Sequence, residues 1–210
     1  MRRSFLWLLF FLIGAAGCGV SPAAPVVDPP TAVPIRNDAG QTLSTEPGPL
    51  WVLVSGVNEH GLMATPRLTL LAAPDPAAAG QGQVDTGQPA WVDEIRQNGP
   101  QGLRRFYHVQ LVSGESGWLP DFYVRREAYL YLPDTTLVPL YDQPDGQIVA
   151  RLPNVSPVKL LDPAAPDWWQ VETTDGATSG WVPAGQVKES SEREFLQNAG
   201  HDPSVREHDE

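Results

Sequence analysis

Few side chains in this sequence are of types that make or break bonds, and their spacing argues against catalysis. Cys18 is the sole cysteine, so no internal disulfide can form and no second thiol is available. The four histidines, His60, His108, His201 and His208, show no metal-ligand spacing. His201 and His208 stand in a polar tail, and His108 reads as the surface residue of a strand. Asp93-Glu94 are adjacent carboxylates, but their surroundings fit a solvated loop better than an acid/base pair. There is no Gly-x-Ser-x-Gly elbow and no Gly-rich phosphate loop. These residues imply no enzyme, no metal and no cofactor. What remains is recognition chemistry, carried by seven tryptophans, five tyrosines and six phenylalanines.

The aromatics are positioned by a segment used twice. One copy runs from Trp168-Trp169-Gln170-Val171 through Gly176 to Gly180-Trp181-Val182-Pro183. The other runs from Phe106-Tyr107-His108-Val109 through Gly114 to Gly117-Trp118-Leu119-Pro120. Each is an aromatic-led strand, a polar turn with glycine, and a return strand opening on Gly-Trp, which predicts a hairpin. Upstream, Leu68-Thr69-Leu70-Leu71 with Pro74-Asp75 matches Leu137-Val138-Pro139-Leu140-Tyr141 with Pro144-Asp145, so the repeat exceeds the hairpin.

The doubled hairpin resembles the bacterial SH3-like (SH3b) family, in which an aromatic pair and a valine precede a glycine turn and a Gly-Trp-Val strand closes a small barrel. The matching residues are Trp168, Trp169, Val171, Gly176, Gly180, Trp181 and Val182, and again Phe106, Tyr107, Val109, Gly114, Gly117, Trp118 and Leu119. Pro139-Leu140-Tyr141-Asp142 and Asp167-Trp168-Trp169 are also similar to motifs of eukaryotic SH3 domains, where they line a groove for proline-rich peptides. Here the groove is divided: Gln186 stands where copy one has Tyr123, and Ala72 where copy two has Asp142. The resemblance implies an all-β protein of two tandem SH3-like β-barrels, at 50–127 and 128–188, with cell-wall peptide or envelope-protein ligands.

Composition agrees with short strands and many turns, with 22 prolines, 19 glycines and 19% charged residues. The net charge of -11 disfavours nucleic acid and anionic lipid headgroups, so membrane attachment needs a hydrophobic anchor. The sequence offers one. Met1-Arg2-Arg3 precedes an apolar run from Ser4 to Ile13 that is shorter than the ~20 residues of a spanning helix, the plan of a secretory signal over 1–17. Ala15-Ala16-Gly17-Cys18 resembles the bacterial lipobox, which implies cleavage before Cys18 and transfer to its thiol of a diacylglyceryl group carrying palmitate-type chains. Two or more chains anchor stably where one does not. Such a protein is extracytoplasmic and lipid-anchored. Residues 18–49 hold Pro22, Pro25, Pro29, Pro30, Pro34, Pro47 and Pro49 and read as a disordered, proline-rich tether. Residues 189–210 read as a short, polar, acidic tail.

Strand alternation assigns Tyr107, Val109 and Leu111, and Trp169 and Val171, to the core. Their neighbours Phe106 and Trp168 then face outward. With Tyr123 and Tyr141 they are the candidate ligand-binding residues, while Trp118, Trp169 and Trp181 are expected to fill the cores. The acidic residues Asp142, Asp145 and Asp167 favour a cationic ligand. A rigid spacer or accessory subunit without a small ligand is the other expectation. A binding module keeps aromatics exposed, whereas a spacer buries them.

Overall fold

The computed structural model describes residues 28–57, 65–98, 104–163 and 165–189. The expected signal peptide, Cys18 and the tail beyond Glu189 lie outside the described residues. Within them the regular structure is strand, apart from single-turn 3-10 segments at Asp121–Tyr123 and Ala184–Gln186.

Two sheets form. The first comprises β1 (Ala32–Asn37), β2 (Thr42–Pro47), β3 (Leu50–Val54), β4 (Arg67–Leu71), β5 (Gly80–Asp85), β6 (Pro89–Asn98), β7 (Arg104–Leu111), β8 (Ser116–Pro120) and β9 (Val124–Arg125). Its path is β2-β1-β6-β7-β8-β4-β5, and β3 pairs with both β6 and β9. The second comprises β10 (Ala128–Leu130), β11 (Leu137–Tyr141), β12 (Ile148–Pro153), β13 (Pro157–Asp162), β14 (Trp168–Thr173), β15 (Ser179–Pro183) and β16 (Val187–Lys188), in the order β12-β11-β15-β14-β13-β10-β16. The expected closed barrels are thus corrected to open sheets. The two-residue β16 bonds to β10 and sits at the far end of the path from β12.

The sequence repeat recurs in the register. Leu71 faces Trp118, and Tyr141 faces Trp181. The pairing slips at Val92/Glu94 and again at Leu160/Asp162, which leaves Asp93 and Leu161 as equivalent bulge residues. The hairpins turn at Gly114 (φ 100) and Gly176 (φ 72). A Cβ at Gly117 would stand 2.7 Å from Leu70 Cβ, and one at Gly180 would stand 2.9 Å from Leu140 Cβ. Close approach of β8 to β4 and of β15 to β11 explains why both return strands open on Gly-Trp.

The core assignments hold. Tyr107, Val109 and Leu111 enter the first core with Val52, Leu70, Val92 and Leu119. Trp169 and Val171 enter the second with Leu130, Val138, Leu140 and Val182. Each buried aliphatic side chain contributes about 1.5–3 kcal/mol.

The tether expectation is corrected over residues 32–47, which form the hairpin β1–β2. Ile35, Arg36 and Asn37 pair parallel with Ile95, Arg96 and Gln97 on β6, whose edge would otherwise be open. Val33 and Ile35, two residues apart, are buried in the first core, and Gly40 turns the hairpin at φ 77. Pro47 is accommodated because β2 is the edge strand, and Pro34 because the pairing of β1 with β6 begins only at Ile35. At the other end Glu189, expected to open the tail, is buried.

The second core also contains Trp51, Leu53 and Trp91 from the first sheet. Trp51 and Trp91 pair across β3 and β6, with ring centroids 5.4 Å apart in an edge-to-face contact. Leu53 lies on the same face of β3, turned from the first core toward the second. The two sheets therefore share apolar packing.

Candidate functional site

The outer face of the second sheet gathers aromatics. On β14, Trp169 and Val171 point inward, so Trp168 and Gln170 point outward. On β15, Val182 faces Trp169 and is fully buried, so its neighbour Trp181 is turned outward, opposite Gln170 and Tyr141. Trp168 faces Pro183, and its ring meets Tyr141 edge-to-face at 5.3 Å and 88°. Tyr141, Trp168 and Trp181 are all half-buried. Ile148, opposite Tyr141 and 41% exposed, carries the apolar strip to the sheet edge. Asp142, Asp145 and Asp167 are exposed beside it in sequence. The Asp142 carboxylate accepts the Gln147 backbone N–H at 2.8 Å, which fixes the turn between β11 and β12.

Two of the four candidate residues, Tyr141 and Trp168, are thus brought together. Tyr123 is half-buried, packs against the first core and touches Phe122 at 4.4 Å between centroids. Phe106 is corrected: it is only 3% exposed. Its parity is outward as expected, yet it is buried on that face. Arg96 is its cross-strand partner and Pro120 its other neighbour. The Arg96 guanidinium lies 5.7 Å from the Trp118 ring centroid, and the His108 ring packs on Trp118 at 5.0 Å. Trp181, expected in the core, is the residue that sequence reasoning missed. Its signal was the parity it shares with Trp168 through Val182.

The same sheet holds a polar network. Asp93 and Glu94 lie on β6, not in the expected loop, because β6 continues to Asn98. His108 Nδ1 bonds to Asp93 Oδ1 at 2.6 Å, and Gln110 Nε2 donates to Asp93 Oδ2 at 2.9 Å. Glu94 accepts from the Arg96 guanidinium. Both carboxylates are committed to neighbours. Burial opposes charge on Asp93, but the bonds from His108 and Gln110 and the attraction of His108 outweigh it, holding its pKa below the usual carboxylate value. A depressed folded pKa contributes stability above the unfolded value of about 3.9, and that stability is lost as pH falls through the lower folded value. Asp93→Asn is therefore expected to flatten the acid limb of stability below about pH 4. Urea midpoints of both proteins between neutral and acid pH check this; parallel acid limbs would refute it.

Among the described residues no cluster of three or more His, Cys, Asp or Glu side chains could hold a metal ion, and no helix is long and apolar enough to cross a membrane.

No family model matches the chain. No curated protein matches it either. Among solved structures the chain is similar to NlpC2 from Trichomonas vaginalis, at 12% identity and a TM-score of 0.29, over 67% of this chain and 48% of that one. It is similar also to NlpC1 from Trichomonas vaginalis, at 14% identity and a TM-score of 0.28, over 67% of this chain and 45% of that one. The chain spans less than half the length of either structure. Superposition at this level assigns neither an activity nor a ligand to the chain.

Proposed function

We propose that this is a non-catalytic, lipid-anchored extracytoplasmic adaptor with two tandem SH3-like units, which binds cell-wall peptide or an envelope protein through the second unit. The observation that carries this reading is the Tyr141–Trp168 pair with Trp181, half-buried on a sheet face whose counterpart in the first unit is covered. Outward aromatics of this size are costly to leave wet and commonly dominate binding energies. The exposed Asp142, Asp145 and Asp167 favour a ligand bearing positive charge. The lipobox-like Ala15-Ala16-Gly17-Cys18 supports the anchor, with membrane contact made through the acylated N-terminus.

A second reading, a rigid spacer or accessory subunit, draws support from the shared core. Trp51, Leu53 and Trp91 join the two units, and Phe106, Tyr107, Trp118, Tyr131 and Trp169 are buried as well. The two readings differ in the fate of Trp168. Retention on purified peptidoglycan and in envelope pull-downs is expected to fall at least tenfold for Trp168→Ala while the fold is kept. Unchanged retention of a folded Trp168→Ala protein would favour the spacer. In the same cells, Cys18→Ser is expected to abolish acyl labelling and membrane fractionation; labelling that persists would exclude the anchor.

A further inference from the structure

The chain crosses from the first unit to the second through Val124, Arg125, Arg126, Glu127 and Ala128. The register fixes where these side chains go. Arg125 faces Leu53 across β9 and β3, so the two share a face of the first sheet. Leu53 is 1% exposed and packs in the second core. Arg125 is therefore turned toward the second unit, whereas Val124, opposite Val54, enters the first core. Arg126 points away. Its guanidinium donates to Glu46 at 3.0 Å and to the Tyr107 hydroxyl at 3.2 Å, which ties the joint to β2 and β7. Beyond the joint, Ala128 and Leu130 enter the second core, which leaves Tyr129 outward. Val124, Arg125, Arg126, Glu127 and Tyr129 line a groove of about 380 Å³ here.

The groove holds an arginine without a counter-charge. The sequence has 25 acidic residues against 14 lysines and arginines, so carboxylates are plentiful. Arg36 and Arg96 pair with Glu94, Arg67 with Asp85, and Arg126 with Glu46. Arg125 is half-buried, yet among the described residues it is in no ion pair. Part-burying a cation costs solvation that a bound anion restores. The groove is concave and stands where two units meet, a common setting for small-ligand sites. The bonds of Arg126 to Glu46 and Tyr107 hold one wall in place, which lowers the ordering cost of binding.

We propose that this groove binds a carboxylate of the kind a peptide C-terminus offers, with the Arg125 guanidinium as its counter-charge. The site is separate from the Tyr141–Trp168 face and does not depend on it. The planar fork of an arginine matches a carboxylate in a bidentate pair. Glu127 is exposed in the groove wall and opposes a second negative charge, which selects a carboxylate over a phosphate dianion. The volume suits a chain end rather than a folded partner.

The test is a titration of the whole chain with N-acetyl-glycylglycine, its C-terminal amide and inorganic phosphate. The Arg125 side-chain Nε–H and the backbone amides of 125–129 are followed in NMR spectra. The free acid is expected to shift these signals saturably, the amide to shift none of them, and phosphate to bind more weakly than the acid. Arg125→Gln is expected to weaken binding of the acid about tenfold, as a charge-assisted pair is lost, and Arg125→Lys by less. Arg151→Gln, at an exposed arginine of β12, is expected to leave it unchanged. No saturable shift at Arg125, an equal response to acid and amide, or tighter binding of phosphate would overturn the proposal. If Arg125→Gln does not fold, the comparison of acid with amide on the natural chain decides alone. Retention of Trp168→Ala on peptidoglycan reports on the adaptor reading separately, so either can fail without the other.

Discussion

Trp91→Ala is expected to destabilise the chain by about 3–5 kcal/mol, the usual range for a buried tryptophan reduced to alanine. The damage should appear in the second unit, although Trp91 belongs to a strand of the first sheet. Its ring is 8% exposed and packs in one cluster with Ala128, Leu130, Val138, Leu160 and Val182. Trp51→Ala should act in the same way. The double variant should lose less than the sum of the two, because the rings touch each other at 5.4 Å. Urea unfolding measures the total, and amide exchange on β10, β13 and β16 locates it. If those amides keep their protection in Trp91→Ala, the shared core is not energetically real. The result bears on function, since two units joined by a common core present the Tyr141–Trp168 face in one fixed orientation.

Trp169→Ala is the second large effect, again about 3–5 kcal/mol. Trp169 is 8% exposed, lies in the second core, and donates its indole N–H to the Ala165 carbonyl at 3.1 Å. Its neighbour Trp168 points the other way. Trp168→Ala should cost only the edge-to-face contact with Tyr141 and part of its area, about 0.5–1.5 kcal/mol for the pair. Urea midpoints at constant m-value separate the two. If Trp168→Ala unfolds the chain as readily as Trp169→Ala, Trp168 is core and the ligand face does not exist.

The doubled hairpin, the inward parity of Tyr107, Val109, Trp169 and Val171, and the outward parity of Trp168 were legible in the sequence. They follow from local rules: a strand alternates its side chains, and a glycine turn with Gly-Trp beyond it sets a hairpin register. Some signals were present but faint. Val33 and Ile35 alternate within a proline-rich stretch that composition alone assigns to a tether, and Trp181 shares its parity with Trp168. The contrast between Trp51 and Trp91 and their repeat counterparts Glu127 and Lys159, now assignable by register, marks a face that is buried in one unit and wet in the other.

By itself, then, the sequence determined which side chains lie on which face of each hairpin, because that depends on chain parity and turn residues a few positions away. Only the tertiary structure decided what covers each face. It buried Phe106, packed Arg96 and His108 on Trp118, left Trp168 and Trp181 half-open, and drew Trp51 and Trp91 into the core of the other sheet. Burial is set by whatever packs from a distance, and strand periodicity carries no record of that partner.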